Sequence, residues 1–473
     1  MGVPEPQLSR RLTVWSAAGV SIALMAPSMA ININPQATAQ VTGRAVPIAF
    51  LLATVGVLLI AHTFVRLAQR FSHSGSVYAF VGLTLGPRSG AVAGWLNACT
   101  YVLFGVVTST AGGMFLTDLA RKMLAPKLIP DWVAFPLSWL VLIVAWVLAT
   151  REVRGGTTVL LVTEGLTVLL IVVVTIVTLV KLATGTGGHR IDLAVFSVAP
   201  GTSASNLFLG VVFGFLSFAG FEASATLGEE TAHPHRDIPR AIVATAILGG
   251  AFFVAVTAVA MMAFGADTAG VSAFTDSQAL IGDLAARYVA PWVAIPIVIG
   301  AAFSAAACCL ASLVGASRLI FALSRDGMGP AALAGLHPQR AVPDAAATAC
   351  AMTVAAVQLF GWAALHARPF DVFTIAGAAG TLILLVAYAM ACLGAIRLVL
   401  AGDSAGSRWE VAIPVLGLAL LSYTVFRNVV PWPAGMSRLG AGVAIAVLGA
   451  VVTAALARPA AARSAGARLL ERG

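Results

Sequence analysis

Charge is what this chain has least of. Asp, Glu, Lys and Arg make up only 10% of its 473 residues, against roughly 25% in soluble domains. So little polar surface cannot clothe the two or three soluble domains that such a length implies, and an ordinary soluble protein is excluded. Cysteine is scarce as well: Cys99, Cys308, Cys309, Cys350 and Cys392 all fall inside apolar runs, and none shows CxxC spacing. Small packing residues are therefore expected rather than a disulfide framework or a metal site. The excess of 28 basic over 19 acidic residues is spread between apolar runs, without the basic, aromatic-interleaved stripe that a nucleic-acid partner requires. Within the apolar runs no HExxH, no GxSxG and no paired histidine ligands occur, so an intramembrane enzyme lacks its constellation and no cofactor is expected. A cleavable signal is missing too, because the first apolar segment after Arg10 and Arg11 runs well past the length of a signal core.

What is present is apolar: 59% of residues are hydrophobic and the mean hydropathy is +0.96. The apolar runs last about 20 residues, enough for a helix to cross a bilayer, and lack the alternation of a membrane barrel. The pattern predicts an all-α membrane protein of about a dozen spans, near 13–40, 46–69, 90–120, 131–150, 156–182, 205–228, 240–264, 290–323, 345–366, 371–399, 410–427 and 437–457. An even number places both termini on one side. With the N-terminus in the cytoplasm, the larger share of arginines falls inside, including Arg66, Arg70, Arg236, Arg240, Arg318, Arg325, Arg397 and the four from Arg458 onward. That bias supports cytoplasmic termini.

Two spans break the helical rule. Ser21 to Pro35 reads SIALMAPSMAININP with Pro27 mid-span, and Gly214 to Glu222 reads GFLSFAGFE. Proline removes a backbone donor and glycine weakens helical order. These are the first and sixth spans, matching places in two five-helix halves, as expected for inverted repeats with broken helices at the midplane. Two kinks repaired by neighbouring helices are the plainer alternative.

Three stretches carry a family resemblance. Phe71-Ser72-His73-Ser74-Gly75-Ser76-Val77-Tyr78 with Leu85-Gly86-Pro87-Arg88 and Gly94-Trp95 is the first. Phe218-Ala219-Gly220-Phe221-Glu222 with Gly228-Glu229-Glu230 and Arg236-Asp237-Ile238-Pro239-Arg240 is the second. Ser317-Arg318-Leu319-Ile320-Phe321-Ala322-Leu323-Ser324-Arg325-Asp326-Gly327 is the third. In this order they resemble, respectively, the loop after the second helix, the sixth helix with its following loop, and the end of the eighth helix in the amino acid–polyamine–organocation (APC) superfamily. The resemblance spans residues 10–400 and is to the bacterial amino acid permease type.

It implies a secondary transporter of the bacterial cytoplasmic membrane, expected foremost to move amino acids coupled to protons, with a polyamine or amine exchanger as the alternative. The expected division is a tail over 1–12, a ten-helix core over 13–400, two peripheral helices over 401–457 and a second tail over 458–473. Substrate carboxylate is expected at the first break and amine at carbonyls of both breaks, in a pocket of Ala26, Ser28, Met29, Ala30, Tyr101, Phe215, Phe218, Ala219 and Gly220. Where many relatives have a glycine-rich triplet, this chain reads Ser28-Met29-Ala30. Where several have an aromatic gate, it has Leu216, leaving Phe215 or Phe218 for that role. Gly105 is expected to leave room beside Tyr101. Ser304 and Ser312 stand apart, without the adjacent hydroxyls that would help hold sodium.

Two acidic residues lie within spans, Glu164 in the fifth and Glu222 at the sixth-span break. A charged carboxylate at the bilayer centre costs about 2.5–3.5 kcal/mol on insertion scales, so it protonates, pairs or faces water. Both are candidates for carrying a coupled proton, and a neutral carboxyl bonded to nearby backbone is the structural alternative. A channel would want a repeated filter or a ring of charges, which two broken helices in one chain do not make.

Overall fold

The computed structural model describes residues 14–71, 76–124, 129–151, 156–199, 203–227, 231, 233–340, 342–402, 408–433 and 437–457. Both expected tails, Ser72 to Gly75 of the first family stretch and Gly228-Glu229-Glu230 of the second lie outside the described residues.

The first expected span is two helices, α1 (Val14–Met25) and α2 (Pro27–Thr42), followed by α3 (Val46–Arg70), the short α4 (Ser76–Leu85) and α5 (Pro87–Met123). Then come α6 (Ala134–Ala149), α7 (Gly156–Thr184), α8 (Leu207–Phe218) and α9 (Pro234–Phe264). Two short helices, α10 (Thr268–Asp276) and α11 (Leu280–Tyr288), precede α12 (Ala294–Arg325), α13 (Asp344–Ala363), α14 (Pro369–Leu400), α15 (Ala412–Val429) and α16 (Ser437–Ala457).

Among the described residues, 10 helical stretches are long and apolar enough to cross a membrane. The first of them, Ser21–Arg70, runs 50 residues, about 75 Å if straight and so far too long for one crossing. It is interrupted at Gly43–Ala45, and α2 packs back against α3, so it makes two passes. The sixth pass is the shorter apolar stretch Ala204–Phe218. The chain is thus a multi-pass membrane protein. Its outward faces fit that setting, with Leu51, Ile143, Leu166, Ile176, Leu248 and Phe360 all exposed where lipid tails would meet them.

Three expectations need correction. The sixth helix does not continue to residue 228 but ends at Phe218. Arg236 to Arg240 do not form a loop: they lie in the opening turns of α9. The segments holding α4, α10 and α11 are helical although too short to register as spans, and buried Val77, Phe80 and Val81 tie α4 into the core.

The packing exchanges between two sets of five spans. Spans one and six meet as α2 on α8, two and seven as α3 on α9, and three and eight as α5 on α12. The pairing of α1 with α9 is answered by that of α8 with α3, and α5 on α6 by α12 on α13. Helices α15 and α16 lie outside this exchange, against α14.

The first and third family stretches meet at one end of the bundle. Tyr78, Ala91, Leu323 and Met328 form a small core of their own with Trp95 against it, and the Trp95 indole donates to the Met328 carbonyl at 3.2 Å.

Candidate functional site

The first break lies at Ala26, which adopts φ 46° and ψ 56°. A left-handed conformation costs an L-residue roughly 1–2 kcal/mol, so surrounding packing must hold it. Pro27 then opens α2, where its missing N–H is no loss. The second break follows Phe218: Ala219 turns extended at ψ 122° and Gly220 takes φ 103°. A 3-10 turn over Ala223–Leu227 completes the span.

The two breaks abut. A Cβ built on Gly220 would lie 2.9 Å from Leu24 Cβ and 3.3 Å from the Leu24 carbonyl oxygen, so glycine is needed for both its torsion and the close approach. Hydrogen bonds tie the spans on either side of the breaks. Ser224 N–H donates to Ser21 Oγ at 2.9 Å, and Asn34 Nδ2 donates to Ser217 Oγ at 2.7 Å.

A small cavity opens beside the breaks, with about 40 Å³ for the centres of water molecules. That holds a few waters. Of the expected site residues, Met29, Tyr101, Ala219, Gly220 and Glu222 line it. Ala26, Ser28 and Ala30 form the break behind it. Phe215 instead points at Gly56, and Phe218 packs edge-on against Phe253 with centroids 5.3 Å apart. Leu216, in the expected gate position, lines the cavity. Gly105 does not make room for Tyr101, because it faces Val354. Gly315 does so, its Cβ position standing 3.3 Å from the Tyr101 ring.

Sequence reasoning missed Asn97, Thr100, Phe104 and Thr108 on α5 and Cys308 on α12. With Tyr101, the α5 residues recur every three to four positions, the spacing of one helix face. That stripe was a usable signal.

Glu164 reaches the first break from α7. A Cβ on Gly300 would lie 2.1 Å from Thr167 Oγ1, so α12 grips α7 less than one turn from Glu164. The Glu164 carboxylate accepts from Ser28 N–H at 2.9 Å, and Met29 N–H donates to Ser304 Oγ at 3.3 Å. Glu222 is equally buried but differently served. Its Oε2 makes no hydrogen bond of good geometry, and the Tyr388 hydroxyl, otherwise unengaged, is the side-chain donor beside it.

Further along α2, Asn32 Oδ1 accepts from Ile281 N–H at 2.9 Å, at the start of α11. Lys122 reaches across to the same helix, pairing with Asp118 at 2.7 Å and Asp283 at 3.0 Å. Helix α11 is therefore fastened to both α2 and α5. His62 lies apart, in a cleft of about 270 Å³ where Arg66 pairs with Glu410.

The sequence profile of the family described as "Amino acid permease" matches residues 19–453. This chain belongs to that family. The low-affinity putrescine importer PlaP of Escherichia coli is similar to it, 26% identical over 339 residues, with 71% of this chain and 72% of that protein covered. The branched-chain amino acid permease BcaP of Bacillus subtilis is 27% identical over 64% of this chain and 65% of its own length. An uncharacterized transporter of Mycobacterium tuberculosis is 28% identical over 93% of this chain and 91% of its own. Paired broken helices beside a small cavity fit the transporter reading that the family gives.

Proposed function

We propose that the protein is a secondary active transporter that carries a small amino acid or amine across the bacterial cytoplasmic membrane by alternating access. The observation that carries this reading is the abutment of the two breaks, Gly220 against Leu24, beside a small cavity. Broken helices bare amides and carbonyls at the bilayer midplane, where a small charged solute can use them. A small cavity between a fastened α11 and the Tyr78–Leu323 cluster suits a cycle in which only one end opens at a time.

In this reading residues 13–400 form the working core, residues 401–457 the peripheral pair, and both tails are cytoplasmic. Met29, Tyr101, Leu216, Ala219 and Gly220 contact substrate. The transported proton is taken up and released by Glu164 or Glu222, and Glu164 is the stronger candidate. It joins α7 to the opening turn of α2, so any rearrangement at the first break alters its hydrogen bonds, and with them its proton affinity.

Purified protein in proteoliposomes tests this. The expected result is accumulation or exchange of a radiolabelled amino acid or amine, together with a thermal shift by the same compound, since a ligand of the native state raises apparent stability. A broad panel giving neither uptake, exchange nor a shift rejects it.

A further inference from the structure

The opening turn of a helix is a seat for an anion, because its first amides have no partner within the helix and the dipole is positive there. In α2 that seat is already full. Pro27 has no N–H, Ser28 N–H is spent on Glu164 Oε1 at 2.9 Å, Met29 N–H on Ser304 Oγ at 3.3 Å, and Ala30 N–H on the Ala26 carbonyl at 2.9 Å. A substrate carboxylate arriving at the first break meets no free amide unless it displaces a carboxylate of the chain itself.

The rest of the cavity gives an incoming anion no cation. Among the described residues its lining includes no Lys, Arg or His, its one carboxylate is Glu222, and its donors are the neutral side chains of Asn97, Thr100, Tyr101, Thr108 and Ser312. Glu222 lines the cavity and Glu164 lies behind it at the first break, so a third carboxylate finds no partner of opposite charge. An ammonium group is accommodated instead, facing Glu222 and the rings of Tyr101 and Phe104, whose π faces attract cations. Leu24, Met25, Val107, Leu216 and Leu384 offer an apolar surround for a hydrocarbon body.

We propose that Glu164 is a resident carboxylate occupying the place of a substrate's own, so that the site selects organic cations without a free carboxylate over zwitterionic amino acids. This rests on the transporter reading of the same cavity and narrows it to aliphatic amines, diamines and guanidino-amines.

Matched pairs that differ only by the α-carboxylate test it on the intact protein: 1,4-diaminobutane against ornithine, agmatine against arginine, and isobutylamine against valine. Affinities come from thermal shift or calorimetry, and transport from proteoliposomes. The expected result is that the decarboxylated member of at least one pair binds at least about 10-fold more tightly, or about 1.4 kcal/mol. Glu164→Gln keeps that order, because its amide oxygen still accepts from Ser28 N–H. Glu164→Ala empties the seat, and the ratio narrows or reverses by at least about 10-fold. Tighter binding of the zwitterion in every pair, or an unchanged ratio in a folded Glu164→Ala protein, overturns the proposal while leaving the transporter reading intact. If neither member of any pair binds or moves, both fall. Should Glu164→Ala fail to fold, the wild-type order decides.

Discussion

The two helix breaks occupy matching places in the fold, yet the chain finishes them in opposite ways. At the first, a non-glycine residue is forced left-handed and every exposed amide of the following turn finds a partner, one of them a carboxylate from another span. At the second, glycine supplies the torsion without steric cost, and the nearby carboxylate keeps an oxygen unpaired. Both breaks keep a buried oxygen without a hydrogen bond, Ser28 Oγ at the first and Glu222 Oε2 at the second, each costing about 1–3 kcal/mol. The contrast lies in charge: at the first break the carboxylate is engaged by a backbone amide, whereas at the second a carboxylate oxygen is left for a hydrogen-bond donor.

The largest expected effect comes from filling the point where the breaks meet. Gly220→Leu places a side chain 2.9 Å from Leu24 Cβ in a torsion that L-residues avoid. Substrate affinity should fall by at least about 100-fold, roughly 2.7 kcal/mol, when measured by calorimetry on monodisperse protein. Affinity within threefold of wild type would show that the breaks need not touch for binding.

Next in size is the removal of charge from the first break. Under an inward proton gradient, Glu164→Gln should lose concentrative uptake by about 10-fold or more, on the scale of general acid–base contributions, while exchange at equal pH persists. If Glu164→Gln and Glu222→Gln each still concentrate substrate with wild-type pH dependence, neither break carries the proton and exchange becomes the better mechanism.

A smaller change is expected at the cavity wall. Leu216→Trp introduces bulk and a π face beside the second break, where Leu216 already approaches Gly377. It should shift relative affinities among amines by roughly 3–10-fold, within the ~1–3 kcal/mol that apolar pocket changes carry. Identical selectivity across the panel would take Leu216 off the permeation path. The smallest effect belongs to the strained residue of the first break. Ala26→Gly relieves the left-handed torsion but adds freedom to the unfolded chain, so a net stabilisation of under about 1 kcal/mol is expected. A marked loss of stability in detergent unfolding would mean that the Ala26 methyl contributes more by packing than it costs by strain.

Much of the architecture was legible because lipid imposes it. A bilayer-crossing helix must be long and apolar and must satisfy its own backbone, so composition and run length alone placed most membrane spans to within a few residues, the sixth and seventh excepted. The breaks were legible too, from Pro27 and Gly220, since these residue types act on the backbone locally. The short helices α4, α10 and α11 escaped because their apolar runs fall below the crossing length, and their stability comes from packing. Phe215 and Phe218 illustrate a different gap. Both sit beside the break in sequence, but helix phase and the placement of Gly56 and Phe253 turn them away from the cavity.

The sequence by itself determined a multi-pass helical membrane protein, its family, two interrupted spans and two carboxylates placed where charge is expensive. Those properties follow from local chemistry and from the solvent. Only the tertiary structure decided that Glu164, 136 positions from Ser28, closes the anion seat of the first break while Glu222 keeps Oε2 without a hydrogen bond at the second. Which buried group meets which is set by how α7 packs on α12 and how the two halves exchange partners. That is a property of the assembled bundle, beyond the reach of any single helix's pattern.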